Sequence, residues 1–504
     1  MTAISTAART RATRERKKVF TLIKILLFLA PLPFGCVAEP WRYLFFIALA
    51  LIAYSAWRQP GEVDRLPAPT SERKDPARDL LYGRHQPGKP KSRGAMTWAA
   101  RLWFGVFLFC AFQLLPLPAV IVKLLSPQTV AILTRLRGVQ PAWLTLSLVP
   151  RETVVFFFEL LVLTAFGMAL ARLRPGWREM TSLVRTLGWT AAFQVGFGLL
   201  RLISGSSNFF IFFAPWESKS GDLTGTLVNS NHFAFFLEMT APLILALVVI
   251  EFSYRGGKWL NRVLDTLEHQ PRVIALVFLL LLIVTGVVLS NSRAGLTALL
   301  VGLAVAGLMM LRTQKAGLEK IFPGIAVALV MIVILVAGSR TWNHFKQLER
   351  RSPERIGRLV RWNNVMDINR DFFLLGTGMG TFRWAYFLYD KEANQWVTHA
   401  HNDVLENATD GGVVGFILIM GAFFAFSAAV LFRWRARRRV SVRLLAAGGV
   451  AALTAALFHS FFDFSLRIPS NALVMVIIMV LTWRVVQYRK ISTRPRSLRD
   501  GGSL

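Results

Sequence analysis

Apolar residues in this chain are gathered into blocks of roughly twenty, the length at which a helix crosses the ~30 Å hydrocarbon core of a bilayer. The blocks lie at about 19–37, 41–57, 98–125, 152–172, 178–203, 227–251, 272–290, 294–312, 321–338, 411–433, 443–463 and 470–488, each to within a few residues. Lipid supplies no partner for a bare backbone N–H or C=O, so blocks this long are expected as helices; barrel strands would be about half the length and alternate in polarity. The expected fold is all-α, a polytopic membrane protein of about 12 transmembrane helices. A soluble fold is excluded.

The 504 residues carry a formal net charge of +31, which by itself would suit nucleic acid. The cations instead crowd alternate turns between the blocks: RATRERKK near the N-terminus, the linker 58–97, RLRPGWR, EFSYRGGKWLNR, RTQK, RWRARRR and the tail RKISTRPRSLR. Lys and Arg beside span ends are retained in the cytoplasm, so both termini are expected there, with the lipid bilayer and no nucleic acid as partner. No small-residue cleavage site precedes Trp41, and the first block is expected as a retained helix. Cys36 and Cys110 sit inside apolar blocks without disulfide or metal spacing. The implied division is a basic N-terminus 1–18, helices 1–5 in 19–203 with the cytoplasmic linker 58–97, a core 204–463, a last turn and helix 464–488, and a basic tail 489–504.

One outward loop, 339–410, breaks the charge pattern with cations from Arg340 to Lys391. Long loops translocate whatever their charge, so an anion on that side is the simplest reason for them. Within it, Ser352-Pro353-Glu354 predicts a helix start, with Arg355, Arg358 and Arg361 along one stripe and Ile356, Leu359, Val360 and Met366 toward the protein. GTLVNSNHFA puts Asn229, Asn231 and His232 at the outer mouth of the sixth span, as an N-cap cluster or a binding group. SNSRAG places Arg293 in a tight outer turn, where an anion contact is expected. GTGMGTF, Gly376–Phe382, lacks a strand-loop-helix context for nucleotide and is expected as a turn returning the arginine stripe toward the histidines.

HSFFDFSLRIPSNA holds His459, Asp463 and Arg467, which are expected to cap and pair with one another. THAHNDVLENATDGGVVGFI sets His399, His401 and Asn402 directly before a span. Asp403, Glu406 and Asp410 can cap that helix or orient an imidazole; they form no carboxylate cage, and neither metal nor cofactor is expected.

Together these pieces resemble the O-antigen ligase family of membrane glycosyltransferases, from about Gly225 to the last span. His401, Asn402, Gly412 and Gly415 match position for position that family's most specific pattern: a histidine, then Asn, Ser or Gln, nine residues, and Gly-x-x-Gly. GRLVRW resembles its arginine-bearing outer loop, best at Arg358, and SNSRAG its other arginine-bearing turn, at Arg293. His399 is not the motif histidine, and on a helix entering at Ala400 it would face away from His401.

The resemblance implies a GT-C-like fold in the bacterial inner membrane, with a large periplasmic loop between spans 9 and 10. It implies transfer of a glycan from a polyprenyl (undecaprenyl) pyrophosphate carrier to a hydroxyl of lipid A-core or of a second lipid-linked glycan, at the periplasmic face, with inversion and without metal. On that reading His401 is the base, Arg293 and Arg358 hold the diphosphate, and Asn402, Asn231, His232, Arg361 and Arg355 support them. A lipid-linked glycan flippase or other polysaccharide transporter would also have many spans and buried cations, but the long outer loop, the histidine motif and the lack of evident inverted repeats weigh against it.

Overall fold

The computed structural model describes residues 2–59, 92–204, 222–227, 229–253, 270–313, 353–390 and 397–488. Eleven of the twelve expected blocks fall among them and each is built on a helix; the block 321–338 lies outside the described residues, as do most of the linker, the segment 339–352 and the tail. The helices are α1 (Thr2–Leu29), α2 (Trp41–Trp57), α3 (Ser92–Leu114), α4 (Ala119–Leu125), α5 (Pro127–Arg137), α6 (Pro150–Arg172), α7 (Trp177–Ser204), α8 (Ser230–Ser253), α9 (Pro271–Leu289), α10 (Arg293–Leu311), α11 (Pro353–Asp371), α12 (Phe382–Tyr389), α13 (Asp403–Arg435), α14 (Val440–His459) and α15 (Pro469–Gln487). Among the described residues, nine are long and apolar enough to cross a membrane. The protein is a multi-pass helical membrane protein.

Three details differ from the sequence expectation. The block 98–125 is not one span: α3 stops at Leu114 because Pro116 and Pro118 cannot continue a helical ladder, and β1 (Leu117–Pro118) pairs antiparallel with β2 (Trp143–Leu144) instead. The block 411–433 begins earlier, at Asp403, because Asn402 caps it. On α11, Met366 is exposed rather than turned toward the protein, while Val365 and Ile368 are fully buried; the side chains of Ile356, Leu359 and Val360 lie outside the described residues.

The core is organised around α8, which is enclosed along its whole membrane-crossing length and packs against α7, α9, α10 and α14. Such approach needs small residues, because lipid offers no hydrophobic gain for joining two apolar helices. α14 supplies them in Ala447, Gly448, Ala451, Ala452 and Ala455, all buried. A Cβ on Gly448 would lie 2.6 Å from the Pro242 carbonyl oxygen and 2.8 Å from the Ala246 Cβ.

The two ends of the bundle differ in chemistry. At one, Arg16 donates to Glu179 and to the Leu173 carbonyl, Arg172 lies over Trp57, Arg439 over Tyr488, and Arg443 reaches the Arg312 carbonyl. At the other, the β1–β2 ribbon, α4, α5, α11 and α12 gather around the starts of α6, α8, α10, α13 and α15.

Gly448→Val should cost about 1–3 kcal/mol through overpacking against backbone. Gly196→Ala, at a helical position with open space around its Cβ, should be neutral or stabilising by up to about 1 kcal/mol. Thermal unfolding of the two purified variants in detergent checks both signs.

Candidate functional site

The second end carries the site. His399 and His401 precede α13 rather than lying on it, and His401 is held at a left-handed φ of 51°, uncommon for a residue with a side chain. Asn402 then caps the helix, its Oδ1 accepting from the Leu405 N–H at 2.9 Å. Each imidazole has its own carboxylate. His401 Nδ1 is 3.1 Å from Asp463 Oδ1 and His399 Nδ1 is 3.1 Å from Glu406 Oε1. With Nδ1–H donating to the carboxylate, Nε2 is left as the basic nitrogen of each ring. The expectation that helix geometry would separate the two histidines is thus corrected: both are oriented by the same device.

Phe464 is the hub. His399 stacks on it at 4.0 Å between centroids, while His232 and His401 meet it edge-on at 4.7 and 5.0 Å. Asp463, fully buried, faces His401 on one side and His232 Nε2, 4.0 Å away, on the other. Burial alone would raise the Asp463 carboxyl, but the hydrogen bond from His401 and the charges of His232, His401 and His459 hold it well below the usual carboxylate range.

The polar residues of the 459–472 junction therefore do not pair with one another, as the sequence suggested. His459 turns into the bundle, 2.9 Å from Glu238 of α8. Arg467, with 16% of its side chain exposed, binds Glu406 at 3.3 Å and Asp410 at 3.0 Å and lies over the Phe156 ring at 5.5 Å. Burial would favour its neutral form, yet Glu406, Asp410 and Asp403 push its pKa above the ordinary arginine value. A carboxylate buried without a partner is too costly to keep, so four acidic side chains at this end require these contacts. Asp403 is the fourth; its Oδ2 accepts from the Leu466 N–H and the Ser460 hydroxyl.

The glycine turn brings the chain after α11 against the first turns of α13. Gly376, Gly378 and Gly380 all have positive φ, and α13 breaks at Gly412, with φ 59° and ψ −165°. A Cβ on Gly376 would be 2.4 Å from the Asp410 carbonyl oxygen, so only glycine lets the two strands of backbone touch. Thr377 N–H donates to Thr409 O, Gly378 N–H to Asp410 O, and Val413 N–H to Phe373 O. Gln113, fully buried at the end of α3, clamps the same turn: its Nε2 donates to the Leu375 carbonyl at 2.8 Å and its Oε1 accepts from Met379 N–H at 3.0 Å.

The proposed anion contacts arrive from two elements. Trp362 of α11 donates its indole N–H to the Ala400 carbonyl, between the two histidines, at 3.0 Å. Positions 355 and 358 lie earlier on α11, their side chains outside the described residues; Arg361, beside Trp362, is half-buried. Arg293 is exposed at the first turn of α10, whose cap Ser292 donates to Asn231 Oδ1 at 2.7 Å. Asn231 adjoins His232, whose carbonyl accepts from Asn471. His401, His232, Asn402 and Asn231 are thus brought together, with Arg293 beside them.

Glu406 orients an imidazole, one of the two roles open to it from sequence, whereas Asp463, Arg467 and Gln113 were not singled out there as site residues. An acid flanked by phenylalanines, as in FFDFS, was the available signal, because a charge in an apolar setting needs a partner.

Residues 277–420 match the family model described as O-antigen ligase. The match encloses Arg293, Arg358, His401, Gly412 and Gly415 and lies between His232 and Asp463. The chain matches no curated protein sequence.

Arg467→Ala leaves Glu406 and Asp410 buried without their cation and should destabilise the protein by about 3–5 kcal/mol. Arg467→Lys should recover part of this, because an ammonium keeps the charge but not the planar fork. Thermal unfolding of both variants measures it.

Proposed function

We propose, from the O-antigen ligase match and the carboxylate-oriented histidine within it, that this protein is a membrane glycosyltransferase acting on a lipid-linked glycan. The observation that carries the reading is the His401–Asp463 pair, which leaves Nε2 basic and partly exposed beside the elements bearing Arg293 and Arg358. His401 Nε2 takes the proton of an acceptor hydroxyl as its oxygen bonds to the anomeric carbon. The bond from that carbon to the phosphate oxygen breaks on the opposite side, giving inversion, and its electron pair leaves with the undecaprenyl diphosphate. Arg293 and Arg358 stabilise the charge that develops there, which guanidinium groups do bidentately. The imidazolium then returns its proton to water. A diphosphate is already a good leaving group, so this sequence needs no metal.

The cation-rich end of the bundle supports a reading in which both termini are cytoplasmic and the histidines face the periplasm across a bacterial inner membrane. The acceptor is lipid A-core for a ligase, or a second lipid-linked unit for a polymerase, and the donor chemistry is common to both. Residues 204–463 then form the catalytic core, completed by the 464–468 turn.

Purified protein, supplied with undecaprenyl-pyrophosphate-linked glycan and each acceptor in turn, tests the reading. His401→Ala should lower transfer by about 10²–10⁴, the usual cost of losing a general base, and Asp463→Asn should follow it in direction. His399→Ala should be milder, since His399 is not the motif position. Near-wild-type turnover by folded His401→Ala removes the histidine from the chemistry.

In the same assay, Arg293→Ala and Arg358→Ala should greatly reduce transfer at normal expression, with Lys restoring only part. Arg355→Ala and Arg361→Ala should have smaller effects, and a chelator should leave wild-type turnover unchanged. Full transfer by both alanine variants at Arg293 and Arg358 refutes the diphosphate assignment.

A further inference from the structure

We propose that a cleft of about 150 Å³, lined by Arg42, Tyr43, Arg151, Glu152, Arg383 and Trp384, is a subsite for one sugar of the acceptor glycan. The assignment rests on the transfer reaction proposed above. The cleft forms where α2 and α6 begin and α12 lies across them.

Two contacts join it to the histidine cluster. A Cβ on Gly380 would come within 3.2 Å of the Glu152 carbonyl oxygen, so the glycine turn abuts the cleft wall, and the Gly380 N–H donates to Asp410. Phe156, one turn beyond Glu152, lies beneath the guanidinium of Arg467, which in turn binds the Glu406 that orients His399. Arg293 approaches the cluster by a different route, through Ser292 and Asn231. In an in-line displacement the acceptor must enter away from the leaving group, and this cleft is not built from the elements that carry Arg293.

Its charge selects the ligand class. Arg42 is bidentate to Glu159, at 2.5 and 2.6 Å; Arg383 donates to Glu152 at 2.6 Å; and Tyr43 donates to Glu39, which also lines the cleft, at 2.8 Å. Two of the guanidinium groups that line the cleft, those of Arg42 and Arg383, are thus paired with the carboxylates of Glu159 and Glu152, and the carboxylates of Glu39 and Glu152 share the lining with them. A phosphate would meet those carboxylates. A sugar hydroxyl both donates and accepts, and finds N–H donors and carboxylate oxygens already fixed by their mutual pairing, which lowers the ordering cost of binding. The rings of Trp384 and Tyr43 offer apolar surface for the C–H face of a pyranose.

Full-length protein in nanodiscs, with lipid-linked glycan as donor and lipid A-core or a lipid-linked repeat unit as acceptor, gives KM for each substrate. In Trp384→Ala and in Arg151→Gln the acceptor KM should rise about tenfold, with kcat and donor KM held within about twofold. Trp384→Phe should stay near wild type. Lipid-free core oligosaccharide, titrated without donor, should bind Trp384→Ala about tenfold more weakly than wild type. An unchanged acceptor KM, or a rise in donor KM instead, overturns the subsite and leaves the transfer reaction standing. A wild-type protein that moves glycan to neither acceptor overturns the reaction, and equal oligosaccharide binding by wild type and Trp384→Ala then overturns the cleft as well.

Discussion

Arg467 is the cation on which the histidine-bearing end of this bundle depends. It is the residue through which three separate pieces of chain are held: the segment before α13 through Glu406, the glycine turn through Asp410, and α6 through Phe156. Electrostatics makes the arrangement obligatory. Asp403, Glu406 and Asp410 lie on successive turns at the head of one helix, and like charges at that spacing repel unless a cation or backbone N–H groups are brought to them. The 3₁₀ turn Ser465–Arg467 brings both, since Leu466 N–H serves Asp403 while the Arg467 side chain serves the other two.

The second requirement is backbone satisfaction. A helix that breaks at membrane depth exposes carbonyl and amide groups that lipid cannot serve, so irregular backbone is tolerated only where protein covers it. Here the break at Gly412 is covered by residues 373–378, which bond to it as an extra strand would, and Gln113 closes the remaining gap from α3. The pattern His401, Asn402, Gly412, Gly415 thereby acquires a physical meaning at each position. The first is oriented by Asp463, the second caps α13, the third permits the break, and the fourth lets Phe109 approach to within 3.1 Å of where a Cβ would stand.

What was legible from sequence was local. Spans follow from apolar length, and the glycines of GTGMGTF marked a turn. What was not legible spans the chain: His401 meets Asp463 across 62 positions and Arg467 meets Asp410 across 57. Nothing in HSFFDFSLRIPSNA distinguishes an aspartate that bonds its neighbours from one that bonds a distant imidazole. The other errors have local causes. Hydropathy continues through Leu115–Pro118 although the helix cannot, and on α11, which is polar over most of its length, the weak apolar pattern turned Met366 inward where Val365 and Ile368 are buried.

The pair between Glu238 and His459 has a consequence for how the protein is made. Glu238 sits on the most enclosed helix, yet its basic partner is 221 residues further along the chain. At a synthesis rate of about 5–20 residues per second, roughly 10–45 s separate their emergence from the ribosome. Through that interval α8 is threaded into lipid as an ordinary apolar segment in which the Glu238 carboxyl has no His459 imidazole to meet. Only the closing hairpin of α14 and α15 completes its surroundings, so the earliest helices stay a provisional assembly until the last ones insert. A nascent chain stopped before residue 459 would hold the Glu238 carboxyl without the imidazole that meets it in the finished bundle.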